Sequence, residues 1–554
     1  MKKENILLWG LVVAFAVMMS LPFLLPHTGL LALFGFVPLL CMERLADMTG
    51  KRHVWVYHYS AFVLWNAFTT FWVCNATIGG GIFAILANSL QMSLIFGLFR
   101  LSKKKFKATL PYIFLACAWI AWERFYFDAE ISWPWLVLGN AFGRSIWAVQ
   151  WYEITGTLGG SLWIWACNLS VFGLMVALSD GSWAEKFNSK AKTAAVTGII
   201  LLFTAPLVLS FCLTPKENDN PEETIDVFIA QPNFDPYHKF EALSQTEQNA
   251  ILAEIFREKL DGRQADTTGT PLLLLAPETF TNDITTNDIP SSRSWQYFKD
   301  MLSGSPNVNL IFGAMSRTYI HSIKAPSATA RKIYSDKDQW MESHNSALII
   351  DGQGYTDIFH KSRLVVAVEK TPYPALFCKI DDLLGGVMGR CVGQDEISLL
   401  NFRYRDSCGV ARSIPLGCAV CYESIYGEYY TGYIRKGARA MTIITNDAWW
   451  GDTPGYRQHL SYASLRAIET RRAIARCANT GISAFISPSG KILSESHWWE
   501  RESLEGRLEL RDDITFFVAH GDITGRICTF LFLLFVMALI VRFLASAPHK
   551  THKS

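Results

Sequence analysis

Charge is scarce in this sequence, and neither sign dominates. Only 18% of its 554 residues are Asp, Glu, Lys or Arg, and the net charge is +2. A chain so balanced offers no polybasic surface for a nucleic-acid backbone, and it carries no nucleic-acid motif. The sequence has one Cys-x-x-Cys, Cys418-Ala-Val-Cys421, but no second pair or histidine cluster that would complete a metal site, so no metal and no diffusible cofactor is expected. The first apolar run follows Lys2 and Lys3, yet no small-residue cleavage site comes after it. That absence favours a retained first helix over a signal peptide.

Long apolar runs take the place of charge. Seven precede residue 215, over about 6–23, 27–46, 55–76, 80–99, 109–126, 158–178 and 194–213, and an eighth spans about 524–545. Each is near the roughly 20 residues that a helix needs to cross a bilayer. The loops between them test the count. Every second gap is basic: Lys51 and Arg52, then Arg100, Lys103, Lys104, Lys105 and Lys107, then Lys186, Lys190 and Lys192. The other gaps carry almost nothing basic, Arg144 excepted. Cationic loops stay in the cytoplasm, so the amino terminus reads as inside and the polar stretch 216–521 as outside. The tail, with Arg542, Lys550 and Lys553, returns to the cytoplasm. Three parts follow: a bundle of about seven helices (1–215), an exported domain (216–521), and a last helix with its tail (522–554).

The exported part alternates strands and helices. Strands are expected over Ile225–Ala230, Leu272–Ala276, Asn309–Met315, Ser346–Asp351, Tyr355–His360, Pro415–Tyr422 and Ala438–Thr445. Helices are expected over Ser244–Asp261, Ser424–Lys436 and, as one long element, Arg457–Ala478. A final hairpin turns at Pro488-Ser489-Gly490. This is the pattern of α/β layers. The Gly- and Cys-rich stretch 376–414 reads as a loop-like insertion. Its neighbourhood holds Cys378, Cys391, Cys408 and Cys418, which an oxidising compartment would allow to form two disulfides with three possible pairings.

Three ionisable residues fall at strand ends, where α/β sheets collect reactive groups: Glu278, Lys361 and Cys421. A thiol attacks a carbonyl as thiolate. A carboxylate can take its proton, and a nearby cation favours the anion. The N–H of Tyr422 and the ammonium of Lys361 could hold an oxyanion. Taken singly, each residue has a plainer reading: a hydrogen-bonded carboxylate, a solvated lysine, a small buried hydrophobe. Cys418 and Cys421 could also be a redox or metal pair, although residues three apart on a strand face opposite ways. Arg471 and Arg472 read as a solvated helix face, and Ser-Trp-Pro-Trp at 132–135 as an interfacial anchor.

The order of these residues is more specific than any one of them. Glu278, Lys361, Cys421-Tyr-Glu, Asn446-Asp-Ala-Trp-Trp-Gly and then Arg466, Glu469, Arg471, Arg472, Arg476 and Asn479-Thr-Gly resemble the nitrilase, or carbon–nitrogen hydrolase, superfamily. With membrane spans on both sides, the chain resembles the apolipoprotein N-acyltransferase family. The resemblance also takes in Ser132-Trp-Pro-Trp135, Gly156-Thr-Leu-Gly-Gly160 and the Gly521-Asp522 before the last span. It implies a helical bundle plus an α-β-β-α sandwich, with Glu278 as base, Lys361 as oxyanion cation and Cys421 as nucleophile. Glu369, Tyr422 and Glu423 would support the site, and Trp449 and Trp135 would meet substrate. The implied substrates are a phospholipid acyl donor and a diacylglyceryl lipoprotein acceptor, at a bacterial inner membrane, with the chain acting as a monomer. A membrane-tethered amidase is the alternative, and a non-enzymatic binding protein a further one. One departure stands out: Val366 and Val368 replace the family's Pro and Gly before Glu369, and β-branched residues disfavour positive φ.

Overall fold

The computed structural model describes residues 2–185, 188–216, 223–236, 239, 243–263, 271–334, 337–383 and 388–545. Lys186, Lys550 and Lys553, used above for the orientation, lie outside them, as do residues 384–387 of the insertion. The chain divides into two compact units, Met1–Thr214 with His520–Ser554, and Pro215–Ala519.

The first unit is helical. Among the described residues, six segments are long and apolar enough to cross a membrane: Lys3–Leu24, Gly29–Met48, Ile78–Ser102, Tyr152–Ser179, Ser189–Leu213 and Ile523–Ala545. Two further helices stand where the other apolar runs were read. Val54–Thr70 has only 17 residues, and Leu110–Asp128 ends in a polar turn with Glu123, Arg124 and Asp128. The interior is aromatic: Phe15, Phe36, Trp65, Trp119 and Trp165 are fully buried and meet largely edge to face.

Among the described residues, the second unit has thirteen strands. They are β1 (Thr224–Gln231), β2 (Leu272–Leu275), β3 (Val308–His321), β4 (Arg331–Lys332), β5 (Gln339–Asp351), β6 (Thr356–His360), β7 (Leu400–Arg405), β8 (Ala411–Val420), β9 (Ala440–Thr445), β10 (Ile474–Ala478), β11 (Ala484–Ile486), β12 (Ile492–Glu495) and β13 (Glu502–Glu509). One sheet runs β13-β1-β2-β3-β5-β4 with β6 paired to β5, and the other runs β12-β11-β10-β9-β8-β7. Side-chain alternation makes the layers. Val227, Ile229, Leu273, Leu275, Ile311 and Ile349 pack with Leu416, Val420, Ile443 and Ala475 between the sheets. Their neighbours Phe228, Leu272, Leu274, Leu310 and Ile350 face Leu252, Phe256, Trp295 and Phe298 on helices Gln245–Arg263 and Arg293–Leu302. Helices Gly427–Arg435 and Pro454–Thr470 pack on the second sheet through Tyr433, Ile434, Leu460 and Ala463. The result is the expected α-β-β-α sandwich.

Several local expectations change. The long helix stops at Thr470, where Arg471 turns left-handed (φ 50°), and 474–478 becomes strand β10, parallel to β9. The stretch 376–414 is not simply loop: it contains the end of helix Pro374–Leu383, and β7, which pairs antiparallel with β8. No α-helix starts just after Cys421. A short 3-10 turn, Cys421–Ile425, comes first, and the helix opens at Gly427. The edge strand β13 went unread because Ser503, Glu505 and Arg507 face outward between single apolar or small residues, and the strand carries no apolar run.

Candidate active site

Glu278, Lys361 and Cys421 follow β2, β6 and β8 and converge at one end of the sandwich. The Glu278 loop is fixed by its neighbour β3. Phe280 and Thr281 donate their N–H groups to Gly313 O at 2.9 and 3.1 Å. A Cβ on Gly313 would sit 2.6 Å from Cα of Glu278, so only glycine permits this approach. Lys361 is buried, with Nζ 3.1 Å from Oε1 of Glu278. The same ammonium lies 3.0 Å from Oε1 and 2.9 Å from Oε2 of Glu369. Asn345, on β5, donates its amide to Glu278 Oε1 at 2.7 Å and Glu369 Oε1 at 2.6 Å. The backbone N–H of Asn446 reaches Glu278 Oε2 at 3.1 Å. One cation thus stands between two carboxylates whose orientation is set by a shared amide.

Glu423 ties the lysine loop to the turn that carries Cys421. Its Oε1 accepts from the N–H of Ser362 (2.7 Å) and Arg363 (3.2 Å) and from Tyr429 Oη (2.8 Å). Its Oε2 accepts from Val420 N at 2.8 Å. Burial raises the pKa of this carboxyl, and the donors from Val420 and Ser362 oppose the rise. Cys421 itself sits at φ 51°, a conformation that costs a non-glycine residue of order 1–3 kcal/mol and persists only where the surroundings over-determine it.

Electrostatics divide the roles. Burial, and then the charge of Glu278, push the Cys421 thiol well above its ordinary value, against the pull of Lys361. The resting sulfur is therefore a thiol. Burial would lower the Lys361 pKa, but Glu278 and Glu369 outweigh it and hold the ammonium well above the free-lysine value. It stays cationic at any working pH. A second buried lysine, Lys239, behaves differently. It donates to Thr279 O at 2.8 Å, and burial lowers it to about 7 despite the opposing charge of Glu278.

Cys421, Asp447 and His459 also offer ligand atoms within 4.8 Å of one another. This set fits a metal poorly. The Arg476 guanidinium already lies 2.5 Å from Asp447 Oδ2 and 3.2 Å from His459 Nδ1, placing a fixed cation against two of the three donors. Asp447 illustrates the effect: burial would raise its pKa, yet Arg476 and His459 hold it below the usual carboxylate range.

Other sequence-predicted residues lie elsewhere. Tyr422 is buried against Tyr426. Trp449 is 39% exposed on the 3-10 turn Asp447–Trp450. Trp135 belongs to the helical unit and is fully buried, between Trp72 and Trp133; it is a core residue, and neither a lipid-facing anchor nor an exposed substrate contact. Arg471 and Arg472 are buried, not solvated. They donate to the carbonyls of Pro488 and Ala438, and Arg472 also donates to Thr470 O at the end of the helix. All twelve cysteines are free. Cys418 is buried on β8, and Cys408 is exposed at the β7–β8 turn. Sequence reasoning missed Asn345, His459 and Ser424. A polar run, Ser343-His-Asn-Ser346, leading directly into the apolar Ala347-Leu-Ile-Ile350 was the available signal for the first.

Known proteins show the same two-part organisation. Residues 305–512 match the family described as Carbon-nitrogen hydrolase, and residues 15–170 the Apolipoprotein N-acyltransferase N-terminal domain. The apolipoprotein N-acyltransferase of Chlorobaculum tepidum is 28% identical over 91% of this chain and 90% of its own length. That of Geobacter metallireducens is 24% identical over 92% and 91%. This chain belongs to the apolipoprotein N-acyltransferase family. It is an enzyme with a helical membrane unit and a nitrilase-fold domain. The crystal structure of Saccharomyces cerevisiae Nit3, of the nitrilase superfamily, aligns at 16% identity and a TM-score of 0.34, over 53% of this chain and 93% of its own.

Proposed function

We propose that this protein moves a fatty acyl group from a membrane phospholipid, through a thioester on Cys421, to the N-terminal amine of a diacylglyceryl-cysteine lipoprotein. The observation that carries the reading is the convergence of Glu278, Lys361 and Cys421 at three strand ends, in a chain whose other unit is made of membrane-length helices. Both substrates are lipids, which gives the membrane unit a purpose. The basic loops support placing the amino terminus in the cytoplasm and the 216–521 domain outside it, at a bacterial inner membrane.

The chemistry runs in two halves. Glu278 takes the thiol proton as Cys421 Sγ bonds to the ester carbonyl carbon. The tetrahedral oxyanion forms beside the Lys361 ammonium, which is already in place and needs no reorganisation. The C–O bond then breaks, and Glu278 returns the proton to the departing lysophospholipid alkoxide. In the second half the lipoprotein amine attacks the thioester and gives its proton to Glu278. Collapse releases the amide and the thiolate, which recovers the proton. Glu369 and Asn345 keep Lys361 and Glu278 oriented throughout.

Intact-mass measurement of the detergent-purified protein after incubation with phospholipid tests this. A gain of one acyl group, absent in Cys421→Ser and lost on adding a diacylglyceryl lipopeptide, is the expected result. No gain in the folded protein would discredit phospholipid as donor and favour a membrane-tethered amidase.

A further inference from the structure

A second set of buried groups surrounds Cys421, and the acyl-transfer scheme leaves it without a task. The Cys421 carbonyl oxygen accepts from Ser424 Oγ at 2.8 Å, and His459 Nε2 lies 3.1 Å from the same oxygen. The other ring nitrogen of His459 lies 2.9 Å from Asp447 Oδ1. Asp447 in turn is held by Arg476 at 2.5 Å and by the Thr445 hydroxyl at 2.8 Å. Thr445 closes the circuit, because its hydroxyl also hydrogen-bonds the Cys421 thiol. Cys421, Asp447, His459 and Arg476 are all buried. The edge of Trp450 packs on the imidazole, 5.5 Å between ring centroids.

We infer that His459 is a positioning residue for the nucleophile: anchored by Asp447 and Arg476, it clamps the Cys421 carbonyl and holds the left-handed turn that presents the thiol. Three neighbouring elements meet for this purpose. His459 comes from helix Pro454–Thr470, Asp447 from the turn after β9 and Arg476 from β10. The strain at Cys421 supplies the need, since a cysteine at φ 51° relaxes to an ordinary conformation unless its peptide groups are held. Electrostatics argue against simple activation. The Asp447 charge raises the proton affinity of the thiol, so a site arranged only to make thiolate would not place a carboxylate there. Its use is to fix the imidazole, with Arg476 offsetting its charge.

The inference rests on Cys421 being the nucleophile, and its main readout needs no substrate. The full-length protein in detergent is alkylated with iodoacetamide across a pH series, and adduct at the Cys421 peptide is followed by mass; acyl transfer is measured in parallel. His459→Ala should lower the Cys421 alkylation rate and kcat together, by on the order of 10²-fold for a displaced reacting atom, with KM for phospholipid little changed. His459→Gln, whose side-chain amide N–H can reach the same carbonyl, should recover most of the loss. Ser424→Ala, the milder variant should His459→Ala not fold, removes the second donor and should slow alkylation less. Wild-type alkylation in folded His459→Ala, or in Ser424→Ala where His459→Ala does not fold, would overturn the inference, as would a Gln variant no better than Ala. Failure of wild-type protein to transfer acyl groups, with alkylation behaving as described, would count against the lipid substrates and leave the positioning role standing.

Discussion

Lys361 and Glu369 form a buried ion pair, 2.9 Å between Nζ and Oε2, across a loop that carries valine at 366 and at 368. The left-handed turn that the loop needs falls on neither valine. Ala367 takes it, at φ 67°, with its N–H donating to Lys370 O at 2.8 Å and its carbonyl accepting from Gly389 at 3.2 Å. A residue without β-branching thus bears the strain and delivers Glu369 to the lysine. Ala367→Gly should be neutral or stabilising by up to about 1 kcal/mol, since glycine adopts this conformation freely. Ala367→Val should cost about 1–3 kcal/mol locally and lower transfer activity by displacing Glu369. Thermal melts and kcat of the two variants check the sign.

The same pair makes the lysine costly to remove. Lys361→Met leaves two buried carboxylates facing each other, and breaking a buried pair typically costs about 3–5 kcal/mol. It should therefore lose both stability and activity. Glu278→Gln keeps the shape and one acceptor oxygen but cannot take the thiol proton. It should fold, bind substrate and lose about 10²–10⁴-fold in kcat. A Glu278→Gln protein that still accumulates the acyl-thioester at the wild-type rate would remove Glu278 from the role of base.

Much of this was legible in the sequence, and the failures share a cause. Leu272–Leu275 read as a doubly buried strand because four leucines in a row can face no solvent, and each half of the run now fills a different core. Glu278, Lys361 and Cys421 were visible because each follows the end of a strand that the sequence shows. By contrast, Ala473-Ile-Ala-Arg-Cys-Ala478 carries no Gly or Pro to separate it from the helix before it, and only tertiary pairing with β9 makes it a strand. The buried arginines misled for a related reason. Arg466 donates to Ile425 O and Glu469, and Arg472 to the carbonyls of Ala438 and Asp513. Those partners lie far off in sequence, Glu469 apart, and no pattern of charge announces them. Trp135 read as an anchor because its interfacial composition was plain, while the tryptophans beside it, Trp72 and Trp133, come from a distant turn and from the same loop.

Free thiols give a direct check on the fold outside the site. With every cysteine unpaired, denatured, unreduced protein should take up twelve iodoacetamide adducts, and a prior reducing step should add none. Ten adducts rising to twelve on reduction would mean that one pair is bridged, and the most exposed thiol of the second unit, Cys408, would be the first position to examine. Reductant should also leave the melting temperature unchanged.

Lys239 predicts a pH dependence whose sign can be worked out. Its amine is held at about 7 in the folded chain, chiefly by burial, whereas a free lysine titrates near 10.4. Between those values the unfolded chain binds the proton and the folded chain does not. Stability from this group therefore rises with pH, by about 1.4 kcal/mol per unit, from about pH 7 upward until the free-lysine value is reached. Below about 7 the folded amine is charged and the full cost of its burial is felt. Lys239→Met removes the titration while keeping the apolar stem. Comparing melting temperatures at pH 6.5 and 9, the difference between wild type and variant should move several degrees in favour of wild type at the higher pH. An unchanged difference would mean that the ammonium finds compensating charge at all pH values, and would place Glu278 closer to Lys239 in energy than its pairing with Lys361 suggests.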